Sequence, residues 1–147
     1  NCGWPTKFYE DQVAEVTKLI DRYFKFITQD FDREKILAIH EQLGTKPSEE
    51  EIPPEMEEFP LEIQEYFTLY NTLADKWDGM SGTYMGKDWA GFSELCDIYK
   101  LEDKALALFF IRYMDGRRSE AMQKKQKATK KVAEAQAKAK KGVPPGV

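Results

Sequence analysis

The sequence predicts an all-α fold, a compact bundle of about five helices from which a long basic C-terminal helix protrudes. Three observations carry that expectation. Apolar residues recur at three- and four-residue steps along most of the chain. No stretch alternates apolar and polar side chains for long enough to specify a strand. The charge, finally, is divided: residues 1–115 hold 12 Lys/Arg against 24 Asp/Glu (net −12), residues 116–147 hold 10 against 2 (net +8), and the two sum to −4. With 147 residues, 41% of them hydrophobic and 13% aromatic, the chain suits one real core and argues against wholesale disorder. The division expected is an acidic helical core domain over 1–115, containing an acidic Pro-rich linker at 45–60, and a basic helical extension over 116–147.

Taken in order, residues 3–6 read as an extended lead-in, because Pro5 biases Trp4 away from the helical region. A first helix is expected over about 9–28, with Val13, Val16, Ile20, Tyr23, Phe24 and Ile27 on one face. Asp32 is a suitable N-cap for a second helix over 33–43, whose expected inner face is Ile36, Leu37, His40 and Leu43. Gly44 stands where a left-handed residue ends a helix. The next stretch mixes Pro53, Pro54 and Pro60 with a run of glutamates and has no period, so a solvated, extended connection is expected. Its charge would also let it fold onto the basic tail of its own or a neighbouring chain at low salt.

Pro60 suits the first turn of a third, central helix carrying Leu61, Ile63, Tyr66, Phe67, Leu69, Tyr70, Leu73 and Trp77. A glycine-rich loop over 78–86 follows. A short fourth helix, with Asp88 as its expected cap, turns Trp89, Phe92, Leu95, Cys96 and Tyr99 inward. The fifth helix starts at a Glu102 or Asp103 cap. Its seam (Ala107, Ile111, Met114, Arg118, Ala121, Lys125, Ala128, Val132, Ala135, Ala139) keeps a 4-3-4-3 spacing, but small alanines and two cations make it a poor coiled coil.

Several chemistries are argued against. In the glycine loop Gly86-Lys87 invites a P-loop reading, yet Ser81 stands where the first glycine belongs, Asp88 replaces the hydroxyl, and no strand precedes it. Asp75, Asp78 and Asp88 do not keep the alternate spacing of a calcium loop. His40, the one histidine, reads as a hydrogen-bonded packing residue, and no second His or Cys is spaced for zinc. A helix-turn-helix over 92–110 would present Ala105, Leu106, Ala107, Leu108, Phe109 and Phe110 to base edges, which they cannot read. No apolar run approaches the roughly 18 residues of a membrane span, no secretory signal is visible, and Cys2 and Cys96 read as thiols in a reducing compartment. Neither catalysis, cofactor, metal nor small-molecule substrate is expected.

The candidate contact residues are the tail cations: Arg117, Arg118, Lys124, Lys125, Lys127, Lys130, Lys131, Lys138, Lys140 and Lys141. Such a tail neutralises phosphates without reading sequence, docks on an acidic protein surface, or is simply a solvated face. It has no aromatic ring for stacking on single-stranded bases and no apolar face for a membrane.

The segment Tyr70-Asn71-Thr72-Leu73-Ala74-Asp75-Lys76-Trp77, then Gly82-Thr83-Tyr84-Met85-Gly86-Lys87-Asp88, then a short helix and a longer one running through Tyr113-Met114-Asp115, resembles small accessory proteins of tailed bacteriophages, most of all tail assembly chaperones. The opening Gly3-Trp4-Pro5-Thr6-Lys7-Phe8 is similar to the start of some phage terminase small subunits, with Trp4 where those carry arginine. The resemblance implies a non-enzymatic assembly or adaptor protein working through protein contacts, as a homo-oligomer or with a protein partner, in the host-cell cytoplasm or on the virion. The alternative it implies is a DNA-packaging factor whose tail holds phosphates.

Overall fold

The computed structural model describes residues 10–27 and 33–141; the lead-in at 3–6, the Asp32 cap and the segment 142–147 lie outside them. The order is α1 (Glu10–Phe26), α2 (Arg33–Leu43), two 3-10 turns (Glu49–Glu51 and Met56–Glu58), α3 (Leu61–Thr72), β1 (Asp75–Trp77), β2 (Tyr84–Lys87), α4 (Phe92–Ile98) and α5 (Lys104–Lys141). The fold is mainly α, as expected. Among the described residues no helix is long and apolar enough to cross a membrane.

Helices α1, α3 and the first half of α5 build the core. Val16, Ile20 and Phe24 of α1 meet Ile63, Phe67, Leu69 and Tyr70 of α3 and Phe110, Ile111 and Met114 of α5, all buried. Some of the aromatic rings pack by their edges: Phe59 lies T-shaped on Phe67 at 5.0 Å and Phe24 on Tyr70 at 6.2 Å. In that arrangement the positive ring edge meets a negative face, adding to the gain from burial. Asp103 is the α5 cap, accepting the Leu106 N–H at 3.0 Å. Leu106, Ala107 and Phe110 are buried, so the face a recognition helix would need belongs to the core.

Helix α2 departs from expectation. Gly44 ends it at φ +69°, and the Thr45 N–H reaches back to His40 O at 2.9 Å. None of its residues is buried, however, and Leu43 is 70% exposed. Its described links to the body are polar and run to the acidic linker. Arg33 Nη1 donates to Pro53 O (3.0 Å) and its Nε pairs with Glu55 (3.2 Å). His40 faces Thr45 Oγ1 through Nδ1 (2.8 Å) and Glu51 through Nε2 (3.2 Å). From α1, Arg22 Nε donates to Ile52 O (3.1 Å) and Nη2 pairs with Glu58 (3.6 Å).

The linker is therefore clasped, not merely solvated. Pro54 and Phe59 are buried and Met56 packs against the core, while Glu51, Glu55 and Glu58 take the three basic side chains. Long-range pairing of this kind leaves no period in the sequence.

The third helix also stops early. It ends at Thr72, Leu73 turns extended (ψ 140°), and residues to Trp77 pair antiparallel with β2, Asp75 opposite Lys87 and Trp77 opposite Tyr84. The expected glycine loop is thus the turn of a β-hairpin. Within it Gly82 takes φ +70°, the Asp78 N–H meets Thr83 O (2.9 Å), and the Gly82 N–H meets Asp78 O (2.8 Å). Trp77 is not a core residue but leans edge-on against Tyr84 at 5.0 Å. Leu61, expected inward, is 74% exposed. Asp88 accepts from the Ala90 N–H (3.0 Å) in the turn before α4, whose N-cap is Gly91.

Candidate interface on the C-terminal helix

What the arm can contact depends on where the body lets it go. Helix α5 has 38 residues, about 57 Å at 1.5 Å per residue. Asp115 and Arg118 are three apart, so both face the hairpin. Asp115 Oδ2 accepts the Lys87 backbone N–H (3.2 Å), and its Oδ1 takes the Tyr70 hydroxyl (3.3 Å). Arg118 forks onto Asp75, Nη1 to Oδ1 at 2.7 Å and Nη2 to Oδ2 at 3.4 Å. Its Nη1 also donates to the Tyr84 hydroxyl (3.2 Å), and its guanidinium lies 4.8 Å from the Tyr84 ring centre. The Tyr84 hydroxyl oxygen is within donating reach of both carboxylates, 3.2 Å from Asp75 Oδ1 and 3.4 Å from Asp115 Oδ1.

Lys87 completes the node. Its side chain is only 4% exposed, and Nζ meets Asp75 Oδ1 at 2.9 Å, Leu73 O at 2.9 Å and the Tyr70 ring at 4.7 Å. Two oxygens and a π face thus surround the three N–H groups of a buried ammonium. Burial works to raise the Asp75 carboxyl, but the hydrogen bonds from Arg118 and Lys87 outweigh it and hold it below the usual carboxylate value. Burial pushes the Tyr84 hydroxyl up to about 12 and the Tyr70 hydroxyl higher still. A cleft of about 220 Å³ opens beside the node. Lys87 and Arg118 are matched there by Asp75 and Asp115, so no surplus charge is offered to a ligand.

Gly86 lets Asp115 come so close. Its φ is +92°, and an added Cβ would lie 3.0 Å from Asp115 Oδ2. Gly86→Ala is therefore expected to destabilise the protein by about 2 kcal/mol through backbone strain and displacement of that carboxylate. In a thermal melt this reads as a fall in Tm of roughly 6 °C.

The next turns are held as well. Arg117 pairs with Asp21 (3.8 Å) and Glu120 (3.3 Å), and Tyr113 donates to Asp21 Oδ1 at 2.7 Å. Gln126 Nε2 donates to Gly82 O at the hairpin tip (2.8 Å). Residues 127–140 are then exposed without exception. The body's hold ends at Gln126, beyond the 115/116 boundary read from charge.

The ten candidate cations divide accordingly. Arg118 is committed to Asp75 and Tyr84, and Arg117 to Asp21 and Glu120. Lys124 and Lys125 are exposed beside the body, and Lys127, Lys130, Lys131, Lys138 and Lys140 ride on the arm. The side chain of Lys141 lies outside the described residues. Of the seam, Ala107, Ile111 and Met114 are buried, whereas Ala128, Val132, Ala135 and Ala139 are uncovered, Val132 at 56%. At 100° per residue these four fall within an arc of about 60°, and Lys124, Lys127, Lys130, Lys131 and Lys138 within a neighbouring arc of about 120°.

Between the hairpin tip and α5 lies a groove of about 960 Å³, walled by Met122 and Ala133 and edged by Lys125, Lys127 and Lys130. Gln126 also lines it, and its Oε1 is buried with no hydrogen-bond partner among the described residues. Sequence reasoning missed the node and the groove, because short strands and a long-range ion pair have no local signature. Among the described residues no group of three His, Cys, Asp or Glu could hold a metal ion. Compared with protein-family models, curated proteins and solved structures, the chain finds no match.

Proposed function

We propose that this chain is a non-enzymatic assembly or adaptor protein whose contact arm is the outer part of α5, residues 127–141. The small phage morphogenesis factors it resembles, tail assembly chaperones among them, fit this role in the host-cell cytoplasm or on the virion. The supporting observation is the course of α5: the body holds it as far as Gln126, then releases a helix carrying both a lysine face and an uncovered small-residue seam. A seam of alanines lets another backbone approach closely while flanking lysines choose an acidic partner.

The alternative, a DNA-packaging factor, rests on the same lysines. Against it stands the body's net charge of −12 over 1–115, which repels a duplex.

Anisotropy of a labelled DNA duplex, titrated with the whole chain and with a chain ending at Gln126, separates the two readings. The expected result is no arm-dependent binding at about 0.15 M salt. Arm-dependent binding whose log–log salt slope is about −4 or steeper would establish the packaging reading instead.

A further inference from the structure

Residues 46–65 carry eight glutamates against one lysine, a net of −7, over half of the body's −12. The clasp divides them by direction. Glu51, Glu55 and Glu58 turn to His40, Arg33 and Arg22. Glu49, Glu50, Glu57 and Glu65 are exposed, and no ion pair among the described residues reaches them. Together with the bare Leu61 they mark residues 49–65 as an acidic segment with exposed carboxylates, the acidic ridge.

This ridge does not take its own arm, since residues 127–140 are all exposed. Pairing arm with arm is opposed by charge, +5 against +5 over residues 127–141. One pairing remains within the chain's own chemistry. We infer that the groove beside Gln126, with the lysine face continuing from it, docks the acidic ridge of a second copy of this chain.

The occupant follows from two features of the groove. Lys125, Lys127 and Lys130 edge it and call for carboxylates. Met122 and Ala133 wall it and call for some apolar surface, which Leu61 offers. Because arm and ridge are different surfaces, the contact is heterologous, so copies join head to tail and either close into a ring or run on. The inference rests on reading α5 as a protein-contact arm and names the partner of that arm.

Mass in solution by light scattering tests it. In about 0.05 M salt the full chain is expected to reach about twice its 17.1 kDa or more, growing with concentration, and to return to one chain in about 0.5 M salt. Two variants made only at exposed positions sharpen the test: one with Glu49, Glu50 and Glu57 changed to Lys, the other with Lys127, Lys130 and Lys131 changed to Glu. Each alone should remain a single chain, because its ridge and arm now carry like charges. Mixed in equal amounts they should associate again, a recovery that a misfolded variant cannot give. A full chain that stays at one copy in low salt, an association that survives in either variant alone, or a mixture that fails to associate would overturn the inference. The broader reading has its own readout, binding of fluorescent polyglutamate. Salt-dependent capture of that probe by a chain that never self-associates overturns the second copy as partner and leaves the adaptor reading standing. A chain that neither self-associates nor takes the probe overturns both.

Discussion

Asp75→Ala is expected to lower the unfolding free energy by about 3 kcal/mol at neutral pH, the scale for stranding a buried charge. Lys87 is only 5% exposed and would keep just the Leu73 carbonyl and the Tyr70 ring. Arg118, with its side chain 20% exposed, would turn partly to water, and Asp75 itself is 30% exposed, which keeps the figure at the lower end. The pH dependence supplies a sign. A carboxyl depressed in the folded state adds stability above its unfolded pKa, and that stability is lost as pH falls through the folded pKa. The natural chain should therefore lose Asp75's contribution from the ordinary value of 3.8 downward. Urea unfolding of Asp75→Ala should show a shallower decline there. An equal acid decline in both chains would remove Asp75 from the account.

The second large effect distinguishes two truncations. A chain ending at Gly116 lacks Arg118, Arg117 and Gln126, and with them the bonds of Arg118 to Asp75 and Tyr84, the Arg117–Asp21 pair and the Gln126–Gly82 bond, keeping only the Tyr113–Asp21 and Asp115–Tyr84 contacts on those residues. It is expected to lose about 4 kcal/mol and about 12 °C in Tm. A chain ending at Gln126 removes, among the described residues, only exposed ones and should melt within about 2 °C of the full chain. Circular dichroism melts of the two decide the matter. Were the shorter chain to melt with the longer, the node would be incidental to stability. The cut at Gln126 is also the one for functional tests, since a cut near 116 would abolish binding simply by loosening the fold.

Much of this architecture was legible because it is local. Helix α2 runs over 33–43 as read, with Gly44 left-handed after it, since a cap and a glycine act within one turn. The burial of Val16, Ile20 and Phe24 likewise follows from a period that any amphipathic helix must keep. Other features were not legible, because each depends on residues far apart. Thr72 ends α3 although Leu73 and Trp77 continue its apolar spacing; there Asp75 gains Lys87 and Arg118, 12 and 43 positions away. The glutamates read as a solvated linker are ordered by Arg22, Arg33 and His40 from two other helices. Charge placed a boundary at 115/116, yet Arg117 and Arg118 belong to the body. An ion pair and a free cation look alike in a sequence; only the fold tells which carboxylate stands opposite.

Hydrogen exchange at two protein concentrations tests the central claim most directly, that α5 is body to Gln126 and contact arm beyond it. An uncovered helical stretch of about 15 residues is marginal in water, so in dilute solution protection should continue through the turns before Gln126 and be weak over 127–141. In concentrated, low-salt solution protection should rise together over 127–141 and over the acidic ridge at 49–65. Strong protection of 127–141 already in dilute solution would contradict it, whereas protection that does not rise on concentration would overturn only the second copy as the arm's partner.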